Sequence, residues 1–279
     1  MVTLLGPEDG DDVFLLHGTP GVRRLFAANV EEGARRGLRH VIYSRPGYEG
    51  SDRQPGRAIA DCAADVAAVA DALGTDRFYV IGESGGGPHA LAAAALLPDR
   101  VRAAATIASA GPYGAEGLDW LEGLGEGNVD EHQELLKGDE ALRSYIEAEL
   151  KELRQVRTRE QLLAVLDKHL CGADRAILAT EFGDGVVASW IRIGEQASVW
   201  GWLDDDKAHV SDWGFDPERI AIPVTVWQGG EDSIVPVTHG EWLARHLPTA
   251  KLRLFPEDGH VSIWRHYDAV LADLIDRGH

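Results

Sequence analysis

Ser84 stands in the run Gly82-Glu83-Ser84-Gly85-Gly86. A serine hydroxyl is a poor nucleophile at neutral pH, so it needs a base, and the base needs an orienting acid. Two later stretches carry those residue types. Gln228-Gly229-Gly230-Glu231-Asp232-Ser233-Ile234-Val235-Pro236 offers the acid, and Pro256-Glu257-Asp258-Gly259-His260 ends on an imidazole. In chain order, Ser84, Asp232 and His260 form a nucleophile, an acid and a general base. His260 would take the serine proton and later deliver it to a leaving group. Asp232 would fix the imidazole tautomer and stabilise its charged form. Glu231 is adjacent and is the alternative acid; neighbouring loop residues point differently, and Asp232 is preferred. Of the eleven histidines, His260 alone combines a strand-end position with a preceding glycine turn late in the chain. The plain structural readings are a glycine-rich turn with a solvated serine and a surface-loop histidine.

Residues so far apart in the chain need a sheet to bring them together. Phe78-Tyr79-Val80-Ile81 is short, apolar and β-rich, as a buried parallel strand is. Pro88 to Leu97 reads as a helix with Pro88 in its first turn. Between them the glycines at 82, 85 and 86 suit a sharp strand-to-helix turn, where a Cβ is unwelcome. Such an elbow strains Ser84 and exposes its hydroxyl beside an N–H at a helix start. Further strands are predicted at Val2–Leu5 (an edge), Val13–Leu16, His40–Tyr43, Val101–Ala108, Pro223–Trp227 and Lys251–Phe255. Helices are predicted over residues 23–36, 58–73, 238–246 and 261–275. Alternating strands and helices imply a mostly parallel α/β sheet with right-handed crossovers. Functional groups then gather beyond the carboxyl ends of the strands, where Asp232 and His260 fall.

An oxyanion needs two fixed donors. The N–H of Gly85 is one; the backbone N–H of Thr19, in His17-Gly18-Thr19-Pro20-Gly21, is the second. His17 reads as a satisfied histidine bracing that loop, and His89 as a helix-surface or packing residue. Glu83 reads as a hydrogen-bonded structural residue under the site.

From Pro112 to about Phe215 the strand–helix rhythm breaks. Helical stretches at about 131–153 and 158–170 and five of the eight tryptophans (Trp120, Trp190, Trp200, Trp202, Trp213) lie there. Residues 112–216 hold 10 Lys+Arg against 23 Asp+Glu, a net −13 of the chain's −19, expected mainly on a solvated face. Glu181, Glu195 and the run Asp204-Asp205-Asp206 are all explained as solvated surface. The tryptophans build a small core of their own or line an acyl pocket.

At 279 residues and 44% hydrophobic, the chain suits one α/β domain with an insertion. A net charge of −19 argues against nucleic acid or an anionic membrane as partners. No signal peptide or membrane span is read in the sequence, and a cytoplasmic location is expected. Cys62 and Cys171 suggest neither a disulfide framework nor a metal site, and Cys62 falls on the apolar face of a predicted helix.

Together the His17–Gly21 loop, Arg45-Pro46-Gly47-Tyr48-Glu49-Gly50-Ser51-Asp52, the Gly82–Gly86 elbow, Gly230–Pro236 and Gly259-His260 resemble the α/β-hydrolase superfamily over essentially the whole chain. The resemblance implies an α/β-hydrolase core over 1–111 and 217–279 and a helical cap over 112–216. It also implies an eight-stranded or slightly reduced sheet, with the cap after the sixth strand; the amino end is short for the usual opening hairpin. The haloalkane dehalogenase and epoxide hydrolase branches use aspartate at the elbow, unlike Ser84. Proline iminopeptidases are similar at the His-Gly-x-Pro-Gly loop and have a helical cap, but their elbow usually carries tryptophan where Gly85 stands. Acidic cap residues could in principle hold a substrate amine, but nothing in the sequence picks out one of them, and Glu181, Glu195 and Asp204-Asp205-Asp206 are equally explained as solvated surface. The reading is a cofactor-independent serine hydrolase acting on small carboxylic esters or related acyl compounds through an acyl-enzyme on Ser84. The alternatives are a proline iminopeptidase-like aminopeptidase and, from another class, a non-catalytic ligand-binding protein or a lyase on the same fold. Oligomeric state is left unassigned.

Overall fold

The computed structural model describes every residue except 167, 168, 197 and 279. Seven strands form one sheet: β1 (Val2–Leu5), β2 (Asp11–Leu16), β3 (Leu38–Tyr43), β4 (Phe78–Glu83), β5 (Val101–Ile107), β6 (Val224–Gly229) and β7 (Ala250–Phe255). Their spatial order is β1-β3-β2-β4-β5-β6-β7. β1 runs antiparallel to β3, and every other pairing is parallel. The register aligns the carboxyl ends: Leu16 lies opposite Gly82, Glu83 opposite Ile107, and Ile107 opposite Trp227. Loops from β2, β4 and β6 therefore leave from one rim.

The central strands are apolar on both sides because helices cover both faces. Alternate residues divide between two cores. Leu16, Val80, Ala104 and Val226 pack with the helices α2 (Cys62–Leu73), α3 (Gly87–Leu96) and α10 (Val237–His246). Leu15, Ile81, Ala105 and Trp227 pack with α11 (Tyr267–Gly278), against which α1 (Ala27–Arg35) also lies. Cys62 is buried and accepts a hydrogen bond from the Tyr43 hydroxyl.

Between β5 and β6 the described residues form six helices: α4 (Glu126–Lys137), α5 (Asp139–Leu153), α6 (Arg159–Leu166), α7 (Gly172–Leu178), α8 (Glu181–Gln196) and α9 (Val199–His209). The insertion has apolar clusters of its own, one around Leu142, Ile146, Leu150 and Trp202, another around Leu162, Leu178 and Val186. It follows the fifth strand, not the sixth, because the sheet starts one strand later than an eight-stranded one. The stretch expected over 131–153 is two helices, separated at Gly138 by a φ of 110° that a continuing helix does not permit. Of the stretch expected over 158–170, residues 159–166 are helical, and 167 and 168 lie outside the described residues. The first helix starts at residue 27, not 23. Phe26 is extended and packs against Phe182 and Trp264, and Arg23 is tied to Glu49. The terminal stretch opens with a 3-10 turn over Ser262–His266 before α11 begins. Among the described residues, no helix is long and apolar enough to cross a membrane.

Gly86 shows how tightly the elbow is packed on the sheet: a Cβ there would overlap the carbonyl of Leu16 in β2. Gly86→Ala is expected to destabilise the protein by about 1–3 kcal/mol or more through overpacking. Urea unfolding measures this, and an unchanged midpoint would contradict the packing described.

Candidate active site

Ser84 follows the last residue of β4 and opens a 3-10 turn, Ser84–Gly86, that leads into α3. Its φ is +48°, a left-handed conformation that a residue with a Cβ seldom adopts. Its Oγ forms no hydrogen bond among the described residues. A Cβ built on Gly85 would lie 2.5 Å from Thr19 Oγ1 and 2.9 Å from His209 Cε1. Gly85 and Thr19, the two residues expected to supply amide donors, thus adjoin, and no side chain fits at position 85.

His260 sits in the turn after β7, and its Nδ1–H donates to Asp232 Oδ2 at 2.8 Å. Asp232 Oδ1 accepts from the amides of Ile234 (2.9 Å) and Val235 (2.8 Å), which fixes the carboxylate in its loop after β6. It is Asp232, not the exposed Glu231, that reaches the imidazole. Burial pulls the His260 pKa down, but the Asp232 carboxylate overcomes this and leaves it raised above the usual imidazole value. Ser84 and His260 line the same cavity of about 1020 Å³, together with Glu83, Arg24, Trp190 and Trp264. No direct hydrogen bond joins them. A second cavity of about 770 Å³ meets the first at Thr19, Ser84 and Ile234 and is walled by Trp120 and Trp202. Trp213 instead packs in the main core, and Trp200 is exposed beneath the Arg53 guanidinium.

The model of the alpha/beta hydrolase fold family matches residues 13–267. The chain belongs to the α/β-hydrolase fold family. It is 27% identical to a 2-hydroxy-6-oxononadienedioate/2-hydroxy-6-oxononatrienedioate hydrolase of Comamonas testosteroni, over 94% of this chain and 85% of the relative. It is 28% identical to a pimeloyl-[acyl-carrier protein] methyl ester esterase of Chromobacterium violaceum, over 92% and 90%. Among solved structures, an α/β-hydrolase fold protein from Nakamurella multipartita superposes with a TM-score of 0.71 at 24% identity, covering 100% of this chain and 96% of that one.

In this α/β-hydrolase the insertion touches every loop of the site, through residues that sequence reasoning missed. Asp205, on α9, is fully buried, not solvated. It accepts from the Thr19 hydroxyl (2.8 Å), the Tyr48 hydroxyl (2.8 Å), Arg45 and Arg57. Burial alone would raise its pKa; the two guanidiniums overcome this and hold it well below the usual carboxylate range. Arg45 also donates to the carbonyls of His17 and Gly18, so the loop carrying Thr19 is held by the same cation. Asp204 is buried too, paired with Arg53 and Arg57. On α7, Asp174 Oδ1 accepts from the amides of Val261 (3.1 Å) and Ser262 (2.7 Å), beside His260. Asn128 donates to the Ile234 carbonyl, and Ser233 to that of His169, beside Asp232. His209 bonds the carbonyl of Gly85 at 2.9 Å.

Three other expected residues have plain roles. His17 is buried with Nδ1 on the Gly18 carbonyl and Nε2 facing the Arg45 amide; burial, then Arg45, pushes its pKa down to about 3. His89 is wholly buried and packs edge-on against His209. Glu83 accepts from the Gly18 amide, and burial raises its pKa.

Two outcomes follow. Asp205→Asn leaves Arg45 buried with no counter-charge and Arg57 with only Asp204, which it shares with Arg53, and should lower stability by about 3–5 kcal/mol in urea unfolding. A loss within 1 kcal/mol, on the order of a surface pair, would contradict it. Acid titration is the second. Buried His17, His40 and His239 have pKa values lowered from 6.5 to about 3, 4 and 4, so the unfolded chain binds protons first. Glu49 works in the same sense: burial opposes its charge, but hydrogen bonds from Arg23, Arg192 and Ser44 lower its pKa from 4.5 to about 2. Its stabilisation is present above 4.5 and lost as pH falls through about 2. Thermal midpoints should therefore fall as pH drops below about 4.5, where these groups act together and the raised carboxyls of Glu83 and Glu131 no longer oppose them. A flat profile down to pH 3 would sink this.

Proposed function

We propose that this α/β-hydrolase is a serine hydrolase that cleaves small carboxylic esters or related acyl compounds. Ser84 Oγ attacks the carbonyl carbon while His260 Nε2 takes its proton. The tetrahedral oxyanion is held by the backbone N–H groups of Thr19 and Gly85. His260 then protonates the leaving alcohol, the acyl-enzyme forms, and water deprotonated by His260 releases the acid and regenerates the serine. Asp232 keeps the proton on Nδ1 throughout. Residues 112–216 act as a cap over a core of 1–111 and 217–279. Location is cytoplasmic in this reading, and the substrate is a small molecule, not nucleic acid.

The observation that carries the reading is the 2.8 Å Asp232–His260 bond in a cavity shared with a strained serine whose hydroxyl has no hydrogen-bond partner among the described residues. Ser84 and His260 close to hydrogen-bonding distance when substrate fills the site, as catalytic contacts commonly do. The relatives' names, hydrolase and methyl ester esterase, are consistent with acyl chemistry. An elbow of the proline iminopeptidase kind is disfavoured, because a side chain at position 85 would run into Thr19 and His209.

The test compares release of a chromophore from a short-chain ester and from a prolyl amide. The ester should be cleaved faster, and Ser84→Ala should abolish the reaction. An organophosphonate should form its adduct on Ser84; folded protein left unlabelled would instead favour a binding role. The base works as neutral imidazole, so kcat/KM should rise with pH through a midpoint above 6.5, since Asp232 holds the His260 pKa up. Asp232→Asn should shift that limb downward and reduce kcat by roughly 10⁴.

A further inference from the structure

Glu131 on α4 and Asp206 on α9 both line the smaller of the two cavities at Ser84. The two carboxyls are close enough that each shifts the other's pKa. Three buried acids of this protein have their own cation: Asp205 has Arg45 and Arg57, Glu49 has Arg23 and Arg192, and Asp12 has Arg39. This pair has none. Among the described residues, no lysine or arginine lines the cavity. The three histidines that do line it, His132, His209 and His239, all have pKa values lowered first by burial, so they are neutral near pH 7. The other titratable groups that interact with the pair are acidic or phenolic: Glu149 acts on Glu131, Asp205 on Asp206, and Tyr145 feels both carboxyls.

A second observation points to a ligand. His132 is only 5% exposed, lines the cavity, and has no hydrogen-bond partner at either ring nitrogen. Asp206 Oδ2 is likewise buried with no donor facing it. Glu131 is held in place by the indole N–H of Trp202 at 2.5 Å, and the Trp120 ring lies beside His132. Two carboxyls, an unfilled imidazole acceptor and two indole rings match what an ammonium group requires: several acceptors for its N–H donors and π faces for its charge.

The side of the substrate that enters this cavity follows from the proton path. His260 lines the other cavity, so the leaving group that it protonates belongs there, and the acyl portion extends into this one. We propose that Glu131 and Asp206 bind a protonated amine on the acyl portion, making the enzyme selective for amino-acyl substrates. This rests on the serine-hydrolase reading and adds the substrate class to it. Burial raises both carboxyl pKa values, and the Glu131 charge raises that of Asp206 further, so the pair retains a proton that an arriving ammonium displaces. Amine binding therefore releases a proton and tightens as pH rises, while the amine itself stays protonated.

The experiment uses p-nitrophenyl esters of ω-amino acids and of alkanoic acids matched in length. The ratio of kcat/KM between the members of each pair is the readout, so general losses of folding or rate cancel. The amino ester should be favoured by roughly tenfold to a hundredfold at its best length, mainly through KM. The ratio should grow between pH 6 and 8, then collapse and lose its pH dependence in Glu131→Gln and in Asp206→Asn. Organophosphonate labelling of Ser84 confirms that each variant is folded. A wild-type ratio at or below one at every length, with the alkanoic esters still cleaved, would overturn the amine site and leave the hydrolase reading standing. A ratio that survives in both variants would also overturn it. Failure to cleave either series, with no label on Ser84, would instead overturn the hydrolase reading and the amine site that rests on it.

Discussion

A carboxylate and two guanidiniums buried together constrain the rest of this molecule. Moving an ion out of water costs several kcal/mol even after relaxation, so Asp205, Arg45 and Arg57 persist in the interior only because each meets the others at close range. Arg45 is wholly buried and spends its remaining donors on the carbonyls of His17 and Gly18. The Thr19 hydroxyl completes the set on Asp205. The position of the Thr19 backbone is thus decided by charge neutralisation between a core loop and a helix of the insertion. That end of α9 is an anchor, because its withdrawal would strand two cations in a dry interior.

The same logic holds on the other side of the site. Asp174 ends the orphaned amides of Val261 and Ser262, and the loop of Asp232 is held by Asn128 and by the Gly125 amide on Ser233. The insertion is therefore a frame for the loops. The two cavities meeting at Ser84 differ in electrostatic character. One contains the His260–Asp232 couple and the Arg24 guanidinium; the other contains acids and neutral imidazoles but no cation. A carbonyl placed at Ser84 would lie at the boundary, with chemically different surroundings on its two sides.

Periodicity made the sheet and its helices legible. The strands at 78–83, 101–107 and 224–229 are apolar runs bounded by turn residues, and helices on both faces are what such runs require. The elbow was legible too, since Gly86 lies too close to Leu16 for any Cβ and Ser84 takes a positive φ. Boundaries were less so. Gly138 splits a stretch whose apolar spacing continues through it, and Phe26 delays α1 because its ring serves Phe182 and Trp264 in distant elements. The acid run 204–206 was the largest departure. Three consecutive aspartates are read as solvated unless their cations are known, and those cations, Arg45, Arg53 and Arg57, lie about 150 residues earlier.

By itself the sequence determined the order of strands and helices, the strained turn at Ser84, and the candidate acid and base in loops on the rim where parallel strands end. Local patterns suffice for these because backbone propensity, glycine spacing and burial period act over a few residues. Only the tertiary structure decided that Asp232 and not Glu231 meets His260, that Asp205 and Asp174 reach in from the insertion, and that Glu131 and Asp206 share a cavity without a counter-ion. The physical reason is that a charged side chain carries no mark of its partner. Whether it is solvated, neutralised or left waiting depends on what the fold brings within a few ångströms of it.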